Sequence, residues 1–117
     1  MVAMHELSVV KSILKTVDKN VVRHHGKRVK EIRIIVGDLS SIVDDSLQYY
    51  FEILTKASPI NGAVLKIQRT QAIASCDACG SNVPVILPLP KSCSKCHSDG
   101  IHISGGTEFY IDSIELV

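Results

Sequence analysis

The 117-residue sequence has no dominant charge sign, no long apolar run and few aromatic rings. Thirteen Lys and Arg stand against twelve Asp and Glu, so the overall charge selects no class of partner. No apolar run reaches the roughly 18 residues that a bilayer span requires, and no membrane contact is expected. The opening Met1-Val2-Ala3-Met4-His5-Glu6 lacks a basic stretch followed by an apolar one. It does not read as a secretory signal, and the expected address is the cytoplasm. The P-loop, G-x-S-x-G and H-E-x-x-H patterns are missing, so no enzyme class is indicated. The five aromatics, Tyr49, Tyr50, Phe51, Phe109 and Tyr110, sit in mainly apolar patterns rather than between basic residues. A stacking platform for nucleic acid is therefore not expected.

What is present is a chain of one-domain length, 45% hydrophobic and 21% charged, the composition of a globular protein. Its charge is unevenly placed. Residues 1–37 carry eight Lys and Arg against three Asp and Glu, while residues 76–117 carry two Lys against five acids. The two ends have opposite fields, and solvated faces are the simplest account of them.

Apolar periodicity gives the layout. Leu7, Val10, Leu14, Val17 and Val21 recur every three or four residues and predict a helix from about 6 to about 25, closed by Gly26. Val29–Val36 alternates as a strand, with Ile32, Ile34 and Val36 on one face. A second helix is expected from Asp44 or Asp45 to Ala57, on the spacing of Leu47, Tyr50, Phe51 and Leu54. One long strand is expected from about Ala63 to Ser75, and a last one from Glu108 to Leu116 whose apolar phase slips between Ile111 and Ile114. The predicted class is α+β: two helices packed on a three-stranded sheet. A zinc-ribbon-like module, residues 76–106, is inserted between the second and third strands, leaving 1–75 plus 107–117 as the α/β part.

That module holds all four cysteines, as Cys76-Asp77-Ala78-Cys79 and Cys93-Ser94-Lys95-Cys96. Two C-x2-C pairs bring four sulfurs to one ion, which suits tetrahedral Zn2+, with a redox dithiol or an iron–sulfur use as alternatives. A complete set of four sulfur ligands leaves no open position, so such a zinc is structural. Its binding energy replaces the core that a module this small lacks. His97, directly after Cys96, has two readings: a hydrogen-bonding partner or exchangeable ligand behind the zinc thiolates, or an exposed polar residue.

His5-Glu6 is the other cluster with metal chemistry. An amine, the next amide and an imidazole form fused chelate rings, and nitrogen-rich tetragonal sites favour Ni(II) or Cu(II). Met4-His5-Glu6-Leu7-Ser8 resembles the Met-His-Glu opening of the HypA/HybF family, nickel-incorporation proteins of [NiFe]-hydrogenase maturation. The resemblance runs from Met4 to the end. It takes in the first helix, the strand end Ile34-Ile35-Val36-Gly37-Asp38, the second helix, both cysteine pairs with His97, and the terminal strand.

The resemblance implies nickel as transient cargo at His5, with Glu6 supporting the site and Asp44 at an acidic position near the nickel. It implies structural zinc at Cys76, Cys79, Cys93 and Cys96. It also implies a GTPase partner, delivery to the hydrogenase large subunit and, in some species, work with urease maturation proteins. Asp44 has a second reading as a helix N-cap. The departure is at the start: Met1-Val2-Ala3 precede Met4, so the Met4 nitrogen is an amide rather than an amine. The alternative from another class is a zinc-ribbon adaptor or nucleic-acid-binding protein without nickel. His24-His25 reads as a solvated pair at a helix end, and His102 as solvent-facing.

Overall fold

The computed structural model describes residues 2–25 and 28–117, and the side chains from Glu6 onward within them. The predicted stop at Gly26 and the His5 side chain lie outside the described residues. Helix α1 spans Val2–Arg23, four residues earlier at its start than the apolar pattern indicates. Strand β1 (Val29–Gly37), helix α2 (Asp44–Thr55) and strand β2 (Val64–Thr70) follow. Then come three short strands, β3 (Ile73–Cys76), β4 (Asn82–Pro84) and β5 (Ile101–Ser104), and the final β6 (Phe109–Leu116). No helix among the described residues is long and apolar enough to cross a membrane.

Two three-stranded sheets form, in the orders β2-β1-β6 and β4-β3-β5. In the first, the Val117 N–H donates to Arg28 and the Gly37 N–H to Glu108, so β6 runs antiparallel to β1. Lys66 pairs with Glu31 and the Asp38 N–H donates to Thr70, so β2 runs parallel to β1, as a helical crossover requires. The second sheet is antiparallel throughout. The single strand expected over 63–75 is in fact two. It breaks at Gln71-Ala72, where Ala72 is buried and its carbonyl accepts from Val85, so the chain leaves one sheet and enters the other.

The chain divides into two compact units. The first holds residues 1–35, 41–68 and 110–117. Its α1 packs on α2. The buried side of α1 is Glu6, Val10, Ile13 and Val17 rather than the predicted row through Leu7 and Leu14, which is half-buried. Leu47 and Phe51 of α2, Ile32 and Ile34 of β1 and Leu65 of β2 complete this core. The slip read in the last strand is present: Asp112 and Ser113 are successively exposed between half-buried Ile111 and Ile114.

The second unit holds residues 36–40 and 69–109. Its chain crossings are tight. A Cβ on Gly37 would overlap the carbonyl of Gly106. One on Gly106, itself at φ +80, would stand 2.8 Å from the Ala72 Cβ. Glycine is therefore the residue that fits both positions.

Candidate metal centres

The four cysteines meet in the second unit. Their Sγ atoms all lie within 4.8 Å of one another. Cys76 is the last residue of β3, and Cys79 follows in the turn toward β4. The two knuckles have the same backbone pattern. The Cys76 N–H donates to Ser81 and the Gly80 N–H to Cys76; the Cys93 N–H donates to Ser98 and the His97 N–H to Cys93. Gly80 at φ 73 and His97 at φ 65 are equivalent residues of these turns. The first cysteine of each pair is buried and the second exposed.

The sulfur geometry is that of a metal cage. Cys76 and Cys96 Sγ are 3.5 Å apart, and Cys79 and Cys93 Sγ 3.7 Å. A disulfide needs about 2.05 Å. Tetrahedral zinc with Zn–S bonds of about 2.3 Å needs sulfur separations near ~3.8 Å. The Cys93 thiol is lowered to about 5 by the N–H of Cys96, the Ser81 hydroxyl and the N–H of Lys95. Cys79 is lowered as well, chiefly by Ser81. Cys96 is pushed up to about 12: the Ser98 amide pulls it down, but Cys76, burial and the other two sulfurs outweigh that pull. Four crowded sulfurs do not all ionise without a cation among them, and a dication takes the place of the protons. The donor set fits structural zinc.

Ser81 was not singled out from the sequence. Its Oγ lies 3.2 Å from the Cys79 sulfur and 3.5 Å from that of Cys93, joining the two knuckles. The signal was available, since both segments read C-x-x-C-x-S. His97 is exposed, and its ring is not in the ligand group. His102 faces solvent as expected, and its Nε2 lies 2.6 Å from Asp77 Oδ2, linking β5 to the first knuckle.

The remaining predicted metal residues lie in the first unit. His5 is within α1, its side chain outside the described residues. Glu6 is fully buried, and its Oε1 accepts the Val43 N–H at 3.3 Å. Its Oε2 is buried with no hydrogen-bond partner among the described residues. Val43, at φ −100 and ψ 122, is the N-cap of α2 and caps with no side chain. Asp44 is therefore the first helical residue rather than the cap. The structure thus joins Glu6 to the residue immediately before Asp44. Asp44 and Asp45 place negative charge in the first turn of α2, where the helix dipole favours it.

The family model described as "Hydrogenase/urease nickel incorporation, metallochaperone, hypA" matches residues 4–116. The chain belongs to the HypA family. A hydrogenase maturation factor HypA of Dehalococcoides mccartyi (strain CBDB1) is 34% identical over 97% of this chain and 94% of its own. One from Chlorobium limicola is 33% identical over 97% of each. The solution structure of the Ni metallochaperone HypA from Helicobacter pylori aligns with a TM-score of 0.62 at 21% identity, over 96% of this chain and 97% of that one. A solution structure of HypA protein aligns at 0.67 and 23%, over 97% of each chain. These two likenesses are of fold. The family is one of nickel-incorporating maturation factors, these relatives carry hydrogenase-maturation names, and this chain brings four cysteines together in a zinc-type cluster.

Proposed function

We propose that this chain binds Ni(II) through His5, with carboxylate oxygens from Glu6 and Asp44, and hands it on during [NiFe]-hydrogenase maturation. The observation that carries the reading is Glu6. A carboxylate with no exposure and one oxygen unpartnered among the described residues costs free energy, because its charge is taken from water without full compensation. A cation held beside it supplies that compensation. Its place one residue after His5 and its hydrogen bond to the residue before Asp44 support assigning the three residues to one site.

Nickel is cargo here and must leave. Nitrogen and oxygen donors permit exchange, whereas a closed four-sulfur centre holds its zinc and stabilises the second unit. On this reading residues 1–75 with 107–117 are the nickel-binding part and residues 76–106 the zinc-binding part. The protein performs no catalysis. It works in the cytoplasm with a maturation GTPase and the hydrogenase large subunit, and the family description extends the same chemistry to urease.

The test is nickel titration of the zinc-loaded protein, followed by absorbance and calorimetry. Wild type is expected to bind one nickel per chain, and His5→Ala to lose that site while keeping its helix signal and its zinc. Hydrogenase maturation at limiting nickel is expected to fail in His5→Ala and to recover with excess nickel. Stoichiometric binding that does not depend on His5 overturns the reading and favours a zinc-ribbon adaptor.

A further inference from the structure

Between the two knuckles runs Pro84-Val85-Ile86-Leu87-Pro88-Leu89-Pro90. Only Val85 is buried. Ile86 is 81% exposed, Leu87 57% and Leu89 52%. Isolated apolar residues on a surface need no account, but three large ones within four residues form a patch. The patch is not an open strand edge. Pro84, Pro88 and Pro90 have no N–H to offer, so another strand gains little by pairing here. They also fix the backbone in advance, which lowers the entropy lost on docking.

The same segment forms one wall of a cavity of about 270 Å3. Val83, Pro84, Val85, Ile86, Pro90 and Ile101 give it a mainly apolar lining. A cavity of about 150 Å3 holds a benzene ring, and pockets for drug-sized ligands begin near ~300 Å3. This one is sized for a single large aliphatic or aromatic side chain.

Within residues 78–98, between exposed Asp77 and Asp99, the charge is of one sign. Residues 78–98 contain Lys91 and Lys95 and no Asp or Glu. Both lysines are exposed, and neither has an ion-pair partner among the described residues. The sulfurs of the metal centre accept from Ser81 and from the N–H groups of Lys95 and Cys96, although a dication with four thiolates stays negative overall. Two of its cysteines are buried, whereas Lys91 and Lys95 are exposed and their long side chains can reach an acidic chain that approaches.

We propose that the 84–90 segment and its cavity are a docking site for a partner polypeptide. The partner presents one large apolar or aromatic side chain to the cavity, flanked by Asp or Glu that face Lys91 and Lys95. A second copy of this chain fits poorly, because two-fold pairing on this face sets lysines against lysines. The proposal concerns a surface that the nickel reading does not use, and its test omits nickel.

The probe is a phage-displayed random twelve-residue peptide library, selected on the full zinc-loaded chain. Enriched peptides are expected to share an apolar or aromatic anchor with acidic flanks. Ile86→Ser and Leu89→Ser, read separately with zinc content checked in each, are expected to weaken the selected peptides at least tenfold. Lys91→Glu is expected to remove the preference for acidic flanks. No enrichment, peptides that bind both serine variants like wild type, or anchors flanked by Lys and Arg overturn the proposal. Concentration-dependent dimers abolished by Ile86→Ser also overturn it, by assigning the surface to a second copy.

Discussion

Glu6 on α1 accepts a hydrogen bond from the backbone N–H of Val43, 37 residues along the chain, and so joins the start of the first helix to the cap of the second. Val43 caps α2 with no side chain of its own. The buried carboxylate takes over part of that task by satisfying an N–H at the helix entrance and by facing the positive end of its dipole. One oxygen serves the fold, and the other is buried with no hydrogen-bond partner among the described residues.

The two oxygens are separable by a Glu6→Gln change. Glutamine keeps an acceptor for Val43 and removes the buried charge, whose desolvation opposes folding. Nickel-free stability is expected to stay within about 1 kcal/mol of wild type or to rise. Nickel affinity is expected to fall by about tenfold or more, equivalent to about 1.4 kcal/mol. Denaturant unfolding and calorimetry on the same samples report the two effects. A large loss of stability with nickel affinity intact assigns Glu6 to the fold alone.

Zinc removal is expected to act on one unit. Both helices belong to the first unit, and the cysteines to the second. Cys79→Ala leaves three sulfurs, and the binding energy that substitutes for a core is largely lost. Amides of β3 and β5 are expected to exchange with solvent many times faster, while helical circular dichroism is retained. Collapse of the helical signal together with zinc loss contradicts independent stabilisation of the second unit.

Periodicity located both helices and the three strands of the first sheet because each has a face turned to the core. It starts α1 too late although Val2, Ala3 and Met4 are apolar, and it centres the buried row on Leu7 and Leu14 because Glu6 counts as polar. A buried carboxylate does not announce itself in a hydrophobic pattern. The second sheet was hidden for a different reason: β3, β4 and β5 are four, three and four residues long. They are too short to show an alternation, and Gln71-Ala72 joins two strands of different sheets without a Gly or Pro signal. The cysteine spacing made the zinc ligands plain. The role of Ser81 needed the fold, or attention to the serine that ends each copy of the repeated C-x-x-C-x-S.

His97 and Gly80 stand at equivalent turn positions with φ of 65 and 73. A left-handed conformation costs a non-glycine residue about 1–2 kcal/mol, part of which glycine returns through its freer unfolded chain. His97→Gly is therefore expected to stabilise the zinc-loaded protein by about 0.5–1 kcal/mol in denaturant unfolding. If the imidazole instead supplies a hydrogen bond that the thiolates need, zinc affinity falls, as measured by competition with a chelator. Unchanged zinc affinity with raised stability makes His97 a turn residue.

The last prediction concerns acid. Glu108 Oε2 accepts the Thr70 hydroxyl at 2.6 Å, and both its oxygens accept the Gly106 N–H at 3.1 Å. The Thr70 hydroxyl first, then the Glu108 and Gly106 amides, hold its carboxyl below the usual carboxylate range. These bonds gather β2, the Gly105-Gly106 turn and the entry to β6 at the point where Gly37 allows close approach. A depressed folded pKa means that the unfolded chain binds the proton more readily. The stabilisation is complete above the unfolded value, about 4.3, and is lost as pH falls through the lower folded value. Glu108→Gln lacks the charge at every pH. Its midpoint in denaturant is expected to lie below wild type at pH 6 and to approach it as pH drops through 4 toward 3. A gap that is constant over that range means that Glu108 contributes by shape and neutral hydrogen bonding rather than through its charge.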